Sequence, residues 1–94
     1  MQENLSDMNR ELMLDGNAVA GLLQEIFGTE MTTASTECAN CGAEGEMGTL
    51  LAFTNAPGIV LRCPACEKVV VRITRTPDAY YLDARGAVYL RLAR

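Results

Sequence analysis

The chain contains no histidine and no tryptophan, and its five aromatic residues are three Tyr and two Phe. Without histidine, imidazole catalysis and mixed Cys/His metal sites are both excluded. With so few rings, Leu, Val, Ile and Ala must fill most of the interior. There is no run of 18 apolar residues, so no membrane-spanning helix is expected. The N-terminus also lacks the charged-then-apolar design of a signal peptide. These absences predict a soluble, cytoplasmic protein, in which thiols stay reduced. Nor is there a glycine-rich phosphate loop, or a Ser or Cys nucleophile with a base partner. Glu44 and Glu46 stand two residues apart in the manner of an acid pair, but they read as solvated loop carboxylates. A catalytic role is not expected.

Positive charge is scarce in the first half of the chain and negative charge in the second. Residues 1–50 carry nine acids and one base (Arg10), whereas residues 51–94 carry three acids and seven bases, for a net charge of −4. That balance excludes a globally basic nucleic-acid binder but allows a basic face on the C-terminal half.

What is present is cysteine in one pattern. Cys38-Ala-Asn-Cys41-Gly42 and Cys63-Pro-Ala-Cys66 are two C-x-x-C pairs that use every cysteine in the chain. Such a loop can turn both sulfurs toward one point, and two loops face to face supply four thiolates in a tetrahedron. Cys38, Cys41, Cys63 and Cys66 are therefore the expected ligands of one structural Zn²⁺, with no coordination position left open. Iron, disulfides and redox thiols are the alternatives for the same sulfurs. A thioredoxin-like site would need a single pair at a helix N-terminus after a strand, which neither pair offers. Arg62 and Lys68 bracket the second pair and place positive charge beside an anionic site.

The 94 residues suit one small α+β domain, read as residues 13–94 behind a flexible polar arm at 1–12. Asp15-Gly16-Asn17 offers helix-starting side chains, with Asn17 or Asp15 as the N-cap. Ala18, Val19, Leu22, Leu23, Ile26 and Phe27 then fall on one side of a helix that Gly28 ends. A Thr-rich strand over 31–37 leads to the first cysteine pair. Strands 49–54 and 59–62 flank Asn55-Ala56-Pro57-Gly58 as a hairpin that delivers Cys63. Residues 68–75 alternate, with Val69, Val71 and Ile73 on one face and Val70, Arg72 and Thr74 on the other. Two further strands, 79–83 and 87–92, complete an antiparallel ribbon with a C-terminal β-meander.

The two cysteine loops resemble rubredoxin knuckles, in which four thiolates hold one iron for electron transfer. Glu67 departs from that pattern where rubredoxins usually carry glycine, and the expected aromatic packing around the metal is missing. The whole resembles a zinc ribbon with an N-terminal helix. More closely, Leu14-Asp15-Gly16-Asn17-Ala18, the helix from Gly21 to Gly28, the C-x-x-C-G and R-C-P-x-C stretches and Arg75-Thr76-Pro77-Asp78 are similar to an uncharacterised family of short actinobacterial proteins. That resemblance implies a fold and a metal, and no activity. The expected function is a non-catalytic protein-interaction or scaffold module, docking a protein partner or a second copy through the apolar helix face. The alternative is a nucleic-acid-binding ribbon using Arg62, Lys68, Arg72, Arg75, Arg85, Arg91 and Arg94. A rubredoxin-like electron carrier is the third reading. No membrane partner is expected.

Overall fold

The computed structural model describes residues 13–55 and 58–93. The arm expected at 1–12 lies outside the described residues, as do Ala56 and Pro57 of the hairpin turn and Arg94. Eight short strands and one α-helix follow in order: β1 (Met13–Asp15), a 3₁₀ turn (Gly16–Val19), α1 (Ala20–Phe27), β2 (Ser35–Cys38) and β3 (Glu44–Glu46). A second 3₁₀ turn (Met47–Thr49) leads to β4 (Leu51–Asn55), β5 (Gly58–Arg62), β6 (Val69–Arg75), β7 (Tyr80–Asp83) and β8 (Ala87–Arg91). All pairing is antiparallel, in a five-stranded sheet ordered β1-β4-β5-β6-β7 and a three-stranded sheet ordered β3-β2-β8. No helix among the described residues is long and apolar enough to cross a membrane.

The expected hairpin is present, with Ala52 opposite Leu61 and Asn55 opposite Gly58. The helix also ends where glycine predicts: Gly28 has φ 76° and its N–H donates to the Gln24 carbonyl at 2.8 Å. Its start is different. Neither Asp15 nor Asn17 caps it; Val19 stands at the N-cap and no side chain bonds there. Residues 13–15 are instead recruited as strand β1 on the edge of β4, and 16–19 wind as a 3₁₀ turn against the Met47–Thr49 turn. Long-range pairing has overridden the local capping signal.

The register separates the two faces of the larger sheet. Ala52, Ile59, Leu61, Val71 and Ile73 share one face, and all five are buried. Against them pack Val19 and Leu23 from the helical segment, together with Met31, Ala34, Met47 and Leu50. Leu22, Ile26 and Phe27 are partly buried on the same core. The helix stripe is thus spent largely on its own domain, and Tyr80 pins α1 further by donating its hydroxyl to Glu25. Leu51, Phe53, Val60, Arg62, Arg72, Thr74, Tyr81 and Asp83 share the opposite face, and none of them is buried.

Two departures from simple alternation shape the ends of the fold. Leu61 pairs with Val71 but Arg62 pairs with Val69, so Val70 is an extra, bulged residue. The bulge breaks the expected two-faced pattern, and Val70 and Val71 are both buried. The C-terminal meander is also not formed as expected, since β8 pairs with β2 and not with β7. After β7 the chain turns at Arg85 and Gly86, then crosses so close to β6 that a Cβ on Gly86 would lie 1.9 Å from the Val69 carbonyl oxygen. Only glycine permits that passage.

Candidate metal centre

The first cysteine loop joins β2 to β3 and the second joins β5 to β6, so two different sheets each contribute one. The loops have matching backbones. Cys38 N–H donates to the Ala43 carbonyl and Gly42 N–H to the Cys38 carbonyl, both at 2.9 Å. In the second loop Cys63 N–H donates to the Lys68 carbonyl at 2.9 Å, and Glu67 N–H to the Cys63 carbonyl at 2.7 Å. Each turn closes on a left-handed residue, Gly42 at φ 80° and Glu67 at φ 66°. Among the described residues Glu67 is the one non-glycine with positive φ. The position that departs from the rubredoxin pattern therefore keeps the backbone shape glycine would take.

This geometry brings all four predicted residues to one place. The four Sγ atoms lie within 4.8 Å of one another. Cys38 Sγ is 3.6 Å from Cys66 Sγ, and Cys41 Sγ is 3.7 Å from Cys63 Sγ. These separations are far beyond an S–S bond of about 2.05 Å, and all four cysteines are free thiols. They suit a common ligand sphere: metal–sulfur bonds of about 2.3 Å in a tetrahedron put sulfurs about 3.8 Å apart. The group can hold a metal ion.

The electrostatics explain why an ion belongs there. Ala65 N–H donates to Cys63 Sγ at 3.3 Å. The Lys68 amide, helped by the Asn40 side chain, lowers the Cys66 thiol to about 6. The Ala43 amide acts in the same sense on Cys41, but burial and the three neighbouring sulfurs push that thiol up to about 11. One proton leaves the cluster readily and another is held, as expected when like charges crowd together. A dication removes that conflict by letting all four sulfurs ionise.

The supporting residues were only partly visible in the sequence. Arg62, read there as a charge beside the site, donates from a guanidinium nitrogen to the Glu67 carbonyl at 2.9 Å and lies over the Phe53 ring at 5.7 Å. Lys68 serves through its backbone. Asn40, which no motif singled out, acts from the first loop to lower the Cys66 thiol. Glu44 and Glu46 are exposed on β3, and Glu44 accepts a hydrogen bond from the Tyr89 hydroxyl at 3.1 Å. A small cavity of about 40 Å³ lies beside Cys38 and Cys63, bounded also by Thr36, Leu50, Pro64 and Val70. The cationic side chains expected as one group are dispersed: Arg62 and Arg72 share the open sheet face, Arg75 projects from the other, and Arg85 and Arg91 lie in the final turn and on β8.

Fold and site together define a small α+β protein with antiparallel sheets and a four-cysteine centre able to hold a metal ion. Over residues 7–94 the chain matches the family of unknown function DUF6510, and it belongs to that family. No curated protein and no solved structure matches it.

Proposed function

We propose that the protein is a non-catalytic binding module whose fold is clipped by one structural Zn²⁺ on Cys38, Cys41, Cys63 and Cys66. The observation that carries this reading is the convergence of two cysteine loops from separate sheets on one four-sulfur cluster. Four protein sulfurs complete a tetrahedron, leaving no position for a reacting water or substrate. When bound, zinc supplies a cross-link without redox chemistry. In small zinc peptides such binding is worth about 10–16 kcal/mol, comparable to the whole net stability of a typical domain, about 5–15 kcal/mol. A site built on four thiolates suits a compartment that keeps thiols reduced, such as the cytoplasm.

The apolar surface left for docking lies mainly on the strands. Most of the apolar residues of α1 face their own core, and the large exposed hydrophobics are Tyr81, Leu82, Val88, Tyr89 and Leu92, on and beside β7 and β8. A binding role therefore falls to the strands and not to the helix.

Elemental analysis of natively purified protein tests the metal. One zinc per chain in a colourless protein is the expected result. A red protein with visible iron–thiolate absorption would establish the electron-carrier reading instead, and absence of any metal would refute both.

A further inference from the structure

The open face of the five-stranded sheet has a chemistry that the sequence alone did not separate out. Its two aromatic rings, Phe53 and Tyr81, lie on the same surface as Arg62 and Arg72. Tyr81 is 64% exposed, the most of any large hydrophobic residue among those described. Asp83 shares the face, but its carboxylate is occupied: Arg85 Nε donates to it at 3.0 Å, a terminal guanidinium nitrogen at 2.6 Å, and the Arg85 amide at 3.0 Å. Among the described residues Arg72 makes no ion pair. In a protein of net charge −4, this face carries Arg62 and Arg72 against one acid, Asp83, which stands opposite Arg72 and feels its charge but makes its ion pair with Arg85. An open groove of about 480 Å³ runs between Arg72, Thr74 and Tyr81 and ends at Asp83 and Arg85.

We propose that this face binds single-stranded nucleic acid, with a base stacked on Tyr81 and backbone phosphates on Arg72 and Arg62. The inference rests on the reading of the protein as a binding module and names its partner. A sheet face carrying an exposed ring, Tyr81, suits unpaired bases, because every base offers a π-face to stack on. A duplex keeps its bases stacked internally and offers Tyr81 nothing. An acidic peptide would satisfy the arginines but leave the ring without a flat partner. Arg62 ties the face to the metal centre, since the Glu67 carbonyl that orients its guanidinium belongs to the second cysteine loop.

The test is fluorescence anisotropy of labelled single-stranded oligothymidylate and oligouridylate with the zinc-loaded full chain. Binding at low salt should weaken roughly sevenfold between about 50 and about 200 mM salt, the slope expected for two phosphate contacts. Arg72→Glu and Tyr81→Ala should each lower affinity about tenfold, and Tyr81→Phe should restore it by keeping the ring. Arg75→Ala, on the opposite face, should leave binding unchanged. Zinc content and circular dichroism identify any variant that fails to fold, and if Tyr81→Ala is one of them, Arg72→Glu then carries the comparison with Arg75→Ala. No binding by folded, zinc-loaded protein overturns the proposal, as does equal binding of duplex DNA or of polyglutamate. Loss of the underlying reading is distinct: it would appear as a chain that holds no metal, whatever it binds.

Discussion

Glu67 holds a left-handed backbone that glycine adopts without penalty, and it does so at the turn closing the second cysteine loop. A side chain there costs about 1 kcal/mol. Glu67→Gly should therefore raise the stability of the zinc-loaded protein by about that amount, read from denaturant unfolding. The twin position gives the converse: Gly42→Ala should destabilise, because it puts a Cβ on the same conformation. An unchanged midpoint for both would remove strain from the account of the loops. Replacement of a ligand acts on a larger scale of energy. Cys41→Ser or Cys66→Ser should abolish stoichiometric zinc and unfold most of the domain, since three sulfurs leave an incomplete coordination sphere. A Cys66→Ser protein that melted near the parent temperature without metal would contradict a structural site. These residues were legible from spacing alone, because C-x-x-C states its chemistry locally. The influence of Asn40 on Cys66 and the Arg62 contact with Glu67 were not, since both depend on loop geometry the sequence cannot orient.

At the level of elements, local signals reported what a segment is and seldom which neighbour it takes. The β4–β5 hairpin and the glycine end of α1 were readable because turn residues fix them. The helix start was misplaced because β1 claims residues 13–15 through pairing with β4. Alternation in β6 failed at Val70, where a bulge turns a residue that strict period-two reading sends outward. The partner of β8 was misread for the same kind of reason: strand residues 87–91 look alike beside β7 or beside β2. What decides it is the tight passage at Gly86, together with the Ala39 N–H to Gly86 carbonyl bond at 2.8 Å and the Thr36 hydroxyl bond to the Tyr89 carbonyl at 2.9 Å. Gly86→Ala should accordingly cost about 1–3 kcal/mol through overpacking against Val69. Hydrogen exchange should show the loss concentrated in β2 and β8, with the β4–β5 hairpin amides spared. Uniform loss across both sheets would mean the passage does not act locally.

Across the whole molecule, the four-cysteine cluster joins loops from both sheets, so under the proposed zinc site loss of the ion and loss of the fold should coincide. Thiolates bind metal and thiols do not, so protons compete with the ion as pH falls. Without an ion, Cys66 is already lowered to about 6 by the Lys68 amide and Asn40, and a bound dication would hold its thiolate to still lower pH. Asp83 is held far below the usual carboxylate range by Arg85, so its ion pair persists to more acidic conditions. Acidification should therefore release zinc and unfold the chain in one transition, at a pH where Asp83 in the folded protein is still ionised, so that protonation of its ion pair is not the cause. A strong chelator at neutral pH should produce the same unfolded state. A titration in which zinc leaves while circular dichroism stays native would show that the ion is not the clip.

The pairing of β8 with β2 also sets an order of events during synthesis. Strand β2 carries the first cysteine loop, yet its neighbour on one side, β8, is made more than 45 residues later. A ribosome-bound intermediate can form the β4–β5 hairpin early, but it cannot brace Cys38 until the last strand has emerged. Deletion of residues 87–91 should thus impair metal loading although no cysteine lies there, and nascent chains stalled before residue 87 should hold zinc poorly.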